Sequence, residues 1–152
     1  MSNPSNTLLE VEETLHSVID SLIDSQKEFQ KIGEELNDPT LKLYFLDESL
    51  QRAEFRGDLE TILHQDGVHD IKEGGSMSAT AQRVWGELKA KLGGGDQTLL
   101  ETAEKAEGKS VAAYAKALEQ ILPFPVRQLL CSQAAQVQLF HDYIKAARVL
   151  GL

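Results

Sequence analysis

Four stretches of this chain place apolar residues three and four positions apart, and proline or glycine breaks the pattern between them. That spacing commits the chain to packed amphipathic helices. In the first stretch Leu8, Val11, Leu15, Val18 and Leu22 lead on to Phe29, Ile32 and Leu36, and only Ser25 interrupts the stripe. Asn37-Asp38-Pro39 then ends one helix and begins the next, with Asp38 placed to cap it and Pro39 suited to its first turn. So short a link makes neighbouring helices antiparallel, and residues 8 to 65 read as a helical hairpin.

The second stripe is Leu41, Phe45, Glu48, Arg52, Phe55, Leu59 and Ile62, so two charged side chains fall where the period puts the core. A third helix starts near Asp96 with Leu100, Ala103, Glu107, Val111, Tyr114, Leu118 and Ile121 on one face. After Pro123-Phe124-Pro125 the fourth carries Val126, Leu130, Gln133, Val137, Phe140, Ile144 and Ala147. Between the hairpins lie Gly67, Gly74, Gly75 and Gly93-Gly94-Gly95, flanking Val84, Trp85, Leu88 and Leu92. A structureless connection of that length is unusual, so a short extra helix is predicted over 78–92. Long helices of about 25 residues span roughly 38 Å, a height this connector can cross. The expected fold is all-α: a ferritin-like four-helix bundle with one long crossover containing a short extra helix, its main helices at 7–36, 39–65, 96–122 and 125–149. A chain of 152 residues fits one such domain, taken as 1–152.

Composition narrows the functional classes. With 41% hydrophobic and 26% charged residues the chain has enough apolar content to fold. A formal net charge of −9 repels phosphate backbones and anionic lipid, so neither nucleic acid nor a membrane surface is an expected partner. The single cysteine, Cys131, excludes an intrachain disulfide and is expected as a small core or flanking residue. Glu10, Glu12 and Glu13 stand where a signal peptide needs a basic start and an apolar run, so a cytoplasmic location is expected.

With a crossover, helices 1 and 4 run one way and helices 2 and 3 the other. Asp24, Ser25, Glu48, Arg52, Glu107 and His141 then fall at one level. Buried ions are costly unless paired, so such a polar core layer needs internal compensation. Glu48, Glu107 and His141 could be the remains of a metal site, holding iron or manganese, of the kind bundle cores build from facing helices. Alternatively the Arg52 guanidinium neutralises Glu48, one turn away, together with Glu107, so that a fixed cation stands where a metal would. The second reading is preferred. A di-iron site uses Glu-x-x-His pairs, whereas this chain has Glu48-x-x-Gln51 and Gln133-x-x-Gln136. Neutral amides are poor iron ligands, and an adjacent arginine opposes a dication. The cluster of His64, Asp66, His69 and Asp70 reads as a solvated loop, and His16, off its stripe, as exposed.

"LQRAEF" (Leu50 to Phe55), "VWGELKAKL" with Trp85, "AEGKSVAAYAKALE" with Glu107 and Tyr114, and "FHDYI" with His141 and Asp142 together resemble a bacterial family of uncharacterised ferritin-like four-helix-bundle proteins, classed as a domain of unknown function. The resemblance runs over nearly the whole chain, and what it implies is a fold. Ferritin-like relatives oxidise iron, manage peroxide or act as oxygenases, and some bacterial members look stress-associated. Carried onto this chain, metal chemistry would rest on Glu48 and Glu107 as carboxylates. The leading expectation is a non-catalytic structural or interaction protein without a cofactor, stress-related and forming a homo-oligomer. The alternative is a metal-binding, di-iron-type oxidoreductase; a small-molecule binder near Tyr114 and Gln133 is a third.

Overall fold

The computed structural model describes residues 4–65, 82–83 and 95–151. Among the described residues the chain is an all-α bundle of four long helices: α1 (Pro4–Glu35), α2 (Pro39–Gln65), α3 (Gly95–Leu118) and α4 (Phe124–Leu150). The short helix expected over 78–92 lies outside the described residues, apart from helical Gln82 and Arg83. None of the described helices is long and apolar enough to cross a membrane.

Helix ends follow local chemistry. The Asp38 carboxylate accepts hydrogen bonds from the Thr40 and Leu41 amides at 2.9 and 3.0 Å, so it caps α2 as the sequence predicts. The third helix stops at Leu118, short of the expected 122. Its last turn tightens, with the Glu119 and Gln120 amides bonding back three residues to Lys116 and Ala117. Both Arg127 Nη atoms then donate to the Leu118 carbonyl, at 3.1 and 3.0 Å, occupying an acceptor that a continuing helix would use. Ile121, placed on the core face by periodicity, is consequently 84% exposed. At the other end of α4, left-handed Gly151 closes the helix by donating to the Ala147 carbonyl.

The topology is fixed by one carboxylate. Asp96, in the first turn of α3, accepts hydrogen bonds from the Asn37 and Asp38 amides of the α1–α2 turn, at 2.8 and 3.0 Å. Thus α3 begins at the end where α2 begins, the two run in the same direction, and a crossover separates two antiparallel hairpins. Helix α1 packs on α2 and α3, and α4 packs on α3 and α2, which leaves α1/α4 and α2/α3 as the diagonals.

The interior falls into two apolar clusters. One gathers Leu15, Val18, Leu22, Leu59, Ala117, Leu130 and Val137. The other is built on Phe29, Ile32, Phe45, Leu100, Phe140 and Ile144. Four of the expected core positions are only partly buried, Phe55, Ile62, Val111 and Leu118, while Leu63 is buried on α2 and Leu99, Ser110 and Ala117 take the interior of α3.

The first hairpin packs tightly at Gly33. A β-carbon there would lie 2.8 Å from Leu46 Cδ2 and 3.3 Å from the Leu46 backbone nitrogen. Gly33→Ala is therefore expected to destabilise by about 1–3 kcal/mol through overpacking, despite alanine's better helix propensity. Most of that loss should return in the double variant with Leu46→Ala, read from urea unfolding midpoints.

Candidate functional site

Glu48 and Arg52 lie one turn apart on α2, so both project to the bundle axis, between the two apolar clusters. Arg52 has 0% exposure and is the largest fully buried side chain described. Its Nε donates to Glu48 Oε1 at 3.1 Å, and its Nη2 lies 3.0 Å from the same oxygen. On its other edge Nη1 donates to Glu107 Oε1 at 2.8 Å and Nη2 to Glu107 Oε2. Glu107 is also fully buried. Because α2 and α3 are diagonal, this fork spans the middle of the bundle. The guanidinium carbon sits 5.1 Å from the Phe29 ring centroid and 6.0 Å from that of Phe140. Those two rings, one from α1 and one from α4, lie against the cation, and Phe45 of α2 packs on both, the three ring centroids standing 5.2 to 5.5 Å apart.

The neighbouring polar groups are satisfied in turn. Gln136 Nε2 reaches Glu48 Oε2 at 3.4 Å. Buried Tyr114 donates its hydroxyl to Gln133 Oε1 at 2.8 Å, while Gln133 Nε2 donates to the Phe55 carbonyl at 3.0 Å. Ser49 bonds the Gln26 carbonyl across the first hairpin at 2.7 Å, and Ser25 bonds the Leu22 carbonyl of its own helix at 3.3 Å. A layer of this kind tolerates burial because its donors and acceptors are matched.

Electrostatics follow from the same geometry. Burial on its own would lower the Arg52 pKa, but the hydrogen bonds and charge of Glu107, then those of Glu48, raise it above its ordinary value, so the guanidinium stays charged. Burial pushes the Glu107 carboxyl up, against the opposing pull of Arg52. Burial likewise raises the Tyr114 phenol, which remains protonated and able to donate.

The structure brings Glu48, Arg52 and Glu107 together, and Ser25 is buried. Asp24 is only half-buried. His141 borders the layer without bonding into it: its Nδ1 is buried with no hydrogen-bond partner, 3.8 Å from Asp142 Oδ1. The metal set of Glu48, Glu107 and His141 does not gather, since the Arg52 fork stands between the two carboxylates. No group of three His, Cys, Asp or Glu side chains among the described residues could hold an ion. Glu28 and Ser49, both buried, are absent from the sequence-derived layer, because each lies just off the stripe of its helix. His16 is half-buried and Cys131 exposed, correcting both expectations. His64 is exposed, and Asp66, His69 and Asp70 lie outside the described residues.

A family model described as a domain of unknown function, DUF2383, matches residues 10–120. The match takes in Glu48, Arg52 and Glu107 and ends before α4, so it covers less of the chain than the sequence resemblance suggests. The search of curated proteins gives no match.

Replacing Arg52 alone leaves two carboxylates without their counter-ion. Arg52→Met is expected to cost about 3–5 kcal/mol in urea unfolding. Adding Glu48→Gln and Glu107→Gln to the same chain should recover most of it, because the orphaned charges are then gone.

Proposed function

Because the chain belongs to the DUF2383 family, a domain of unknown function, we propose its role from its interior: a ferritin-like bundle with a non-catalytic, structural or interaction function. The observation that carries this reading is the Arg52 fork between Glu48 and Glu107. It puts a permanent cation, each of its nitrogens engaged by a carboxylate, where facing helices of a metal-using bundle present ligands. A dication entering that space meets a fixed positive charge and carboxylate oxygens already in use. The crossover between two antiparallel hairpins supports the ferritin-like assignment, since that connectivity is one of the few ways to build such a bundle. Self-association belongs to the same proposal: Leu43 and Leu50 stand exposed on α2 and Leu139 on α4, apolar surface that a second copy would cover.

Two measurements test it. Elemental analysis of protein purified without chelator should give iron and manganese far below one ion per chain; stoichiometric loading of either overturns the assignment. Light scattering coupled to size exclusion should return a multiple of the 16.8 kDa chain mass, and a purely monomeric mass removes self-association from the proposal.

A further inference from the structure

Two tyrosines near one end of the bundle are placed for a chemistry that the buried layer does not use. Tyr44, in the second turn of α2, and Tyr143, two turns before the end of α4, stack with ring centroids 4.6 Å apart and 30° between their planes. Tyr44 is 52% exposed, so a small oxidant reaches it from solvent. Tyr143 is half-buried and backed at 6.0 Å by Phe140, itself part of the aromatic cluster of the core. The pair is thus open on one side and braced on the other. Burial first, then the charges of Tyr44 and Asp38, raise the Tyr143 phenol above its ordinary value, so it meets its partner as a neutral ring. Helices α2 and α4 pack the least closely of the adjacent pairs, and further along they are joined by long side chains, Gln136 to Glu48 and Gln133 to the Phe55 carbonyl. The third tyrosine of the chain, Tyr114, is buried and donates to Gln133.

We propose that Tyr44 and Tyr143 are an oxidative crosslinking site, which a diffusible one-electron oxidant converts to an intrachain dityrosine joining α2 to α4. Each phenol gives one electron to one equivalent of oxidant and its O–H proton to solvent. The two phenoxyl radicals couple through a ring carbon ortho to each oxygen, forming one C–C bond. The hydrogen on each of those carbons then moves to its own phenol oxygen, which restores both aromatic rings. In sum the chain loses two protons and two electrons, and two equivalents of oxidant are each reduced by one electron. Rings already held in contact make the coupling a step within one chain, favoured over coupling between chains in dilute solution. The new bond ties residues remote in sequence, so it restricts the unfolded chain far more than the folded bundle. The site does not depend on how the buried layer is read.

The test oxidises dilute protein with a ruthenium tris-bipyridyl complex, persulfate and light, then denatures it under reducing conditions. The monomer is expected to carry dityrosine fluorescence, to be lighter by two hydrogen atoms, and to release on proteolysis one crosslinked peptide pair containing Tyr44 and Tyr143. Its urea unfolding midpoint should rise. Tyr44→Phe, which keeps the stacked ring without its phenol, should lose the signal, and wild type oxidised while unfolded in urea should give about tenfold less of it. A monomer without dityrosine, a monomer crosslink through Tyr114, or a yield undiminished in Tyr44→Phe or in urea overturns the site. The crosslinked peptide is read in the wild type, so the outcome does not hang on how the variant folds.

Discussion

The bundle depends on one guanidinium. Arg52 is the point where all four helices meet electrostatically: α2 supplies it, α3 answers with Glu107, and α1 and α4 lay Phe29 and Phe140 against it. Arginine suits the place better than lysine because a rigid planar fork serves carboxylates on two edges while its face packs on aromatic rings. The cost of bringing it out of water is offset only while both carboxylates stay aligned. The layer thereby sets the relative height of two diagonal helices that otherwise make no close approach. Hydrocarbon above and below supplies most of the favourable burial, yet apolar contacts slide over one another easily. Directional bonds do not, and register is the property this layer adds.

Much of this was legible in residue spacing. The stripes locate the four helices, and Glu48, Arg52 and Glu107 announce themselves by occupying apolar positions. Asp38 as a cap and the crossover could also be read, the first from the Asn-Asp-Pro break and the second from connector length. What escaped was lateral. Glu28 lies one residue before Phe29, and periodicity on one helix cannot say which flank a neighbour will cover. Only the placement of α3 beside α1 turns that position inward. Ser49 is hidden for the same reason, on the flank of α2 that meets α1. The end of α3 was misplaced because apolar Ile121 and Leu122 prolong the stripe, while the capping of Leu118 by Arg127 is a contact between separate helices.

His141 shows the limit of reading height alone. Its level in the bundle is that of the layer, but its buried Nδ1 finds no hydrogen-bond partner, and it acts on Glu107 through charge alone. Gln133 and Gln136, in contrast, turn toward α2 and act as long neutral struts across that side. A neutral amide there closes hydrogen bonds without adding a further ion to the interior, which keeps the electrostatic problem confined to one cation and its carboxylates.

The tie between Asp96 and the first turn bears on how the chain reaches this state. Each hairpin is local in sequence and can form quickly, but the two are alike in outline, and apolar faces alone would let the second settle against the first upside down. Inverted, Asp96 would lie a full helix length from the amides of Asn37 and Asp38, and Arg52 would meet hydrocarbon. A misdocked intermediate therefore gains neither reward and comes apart readily, so the polar contacts act as a proofreading step that keeps the landscape free of a deep kinetic trap.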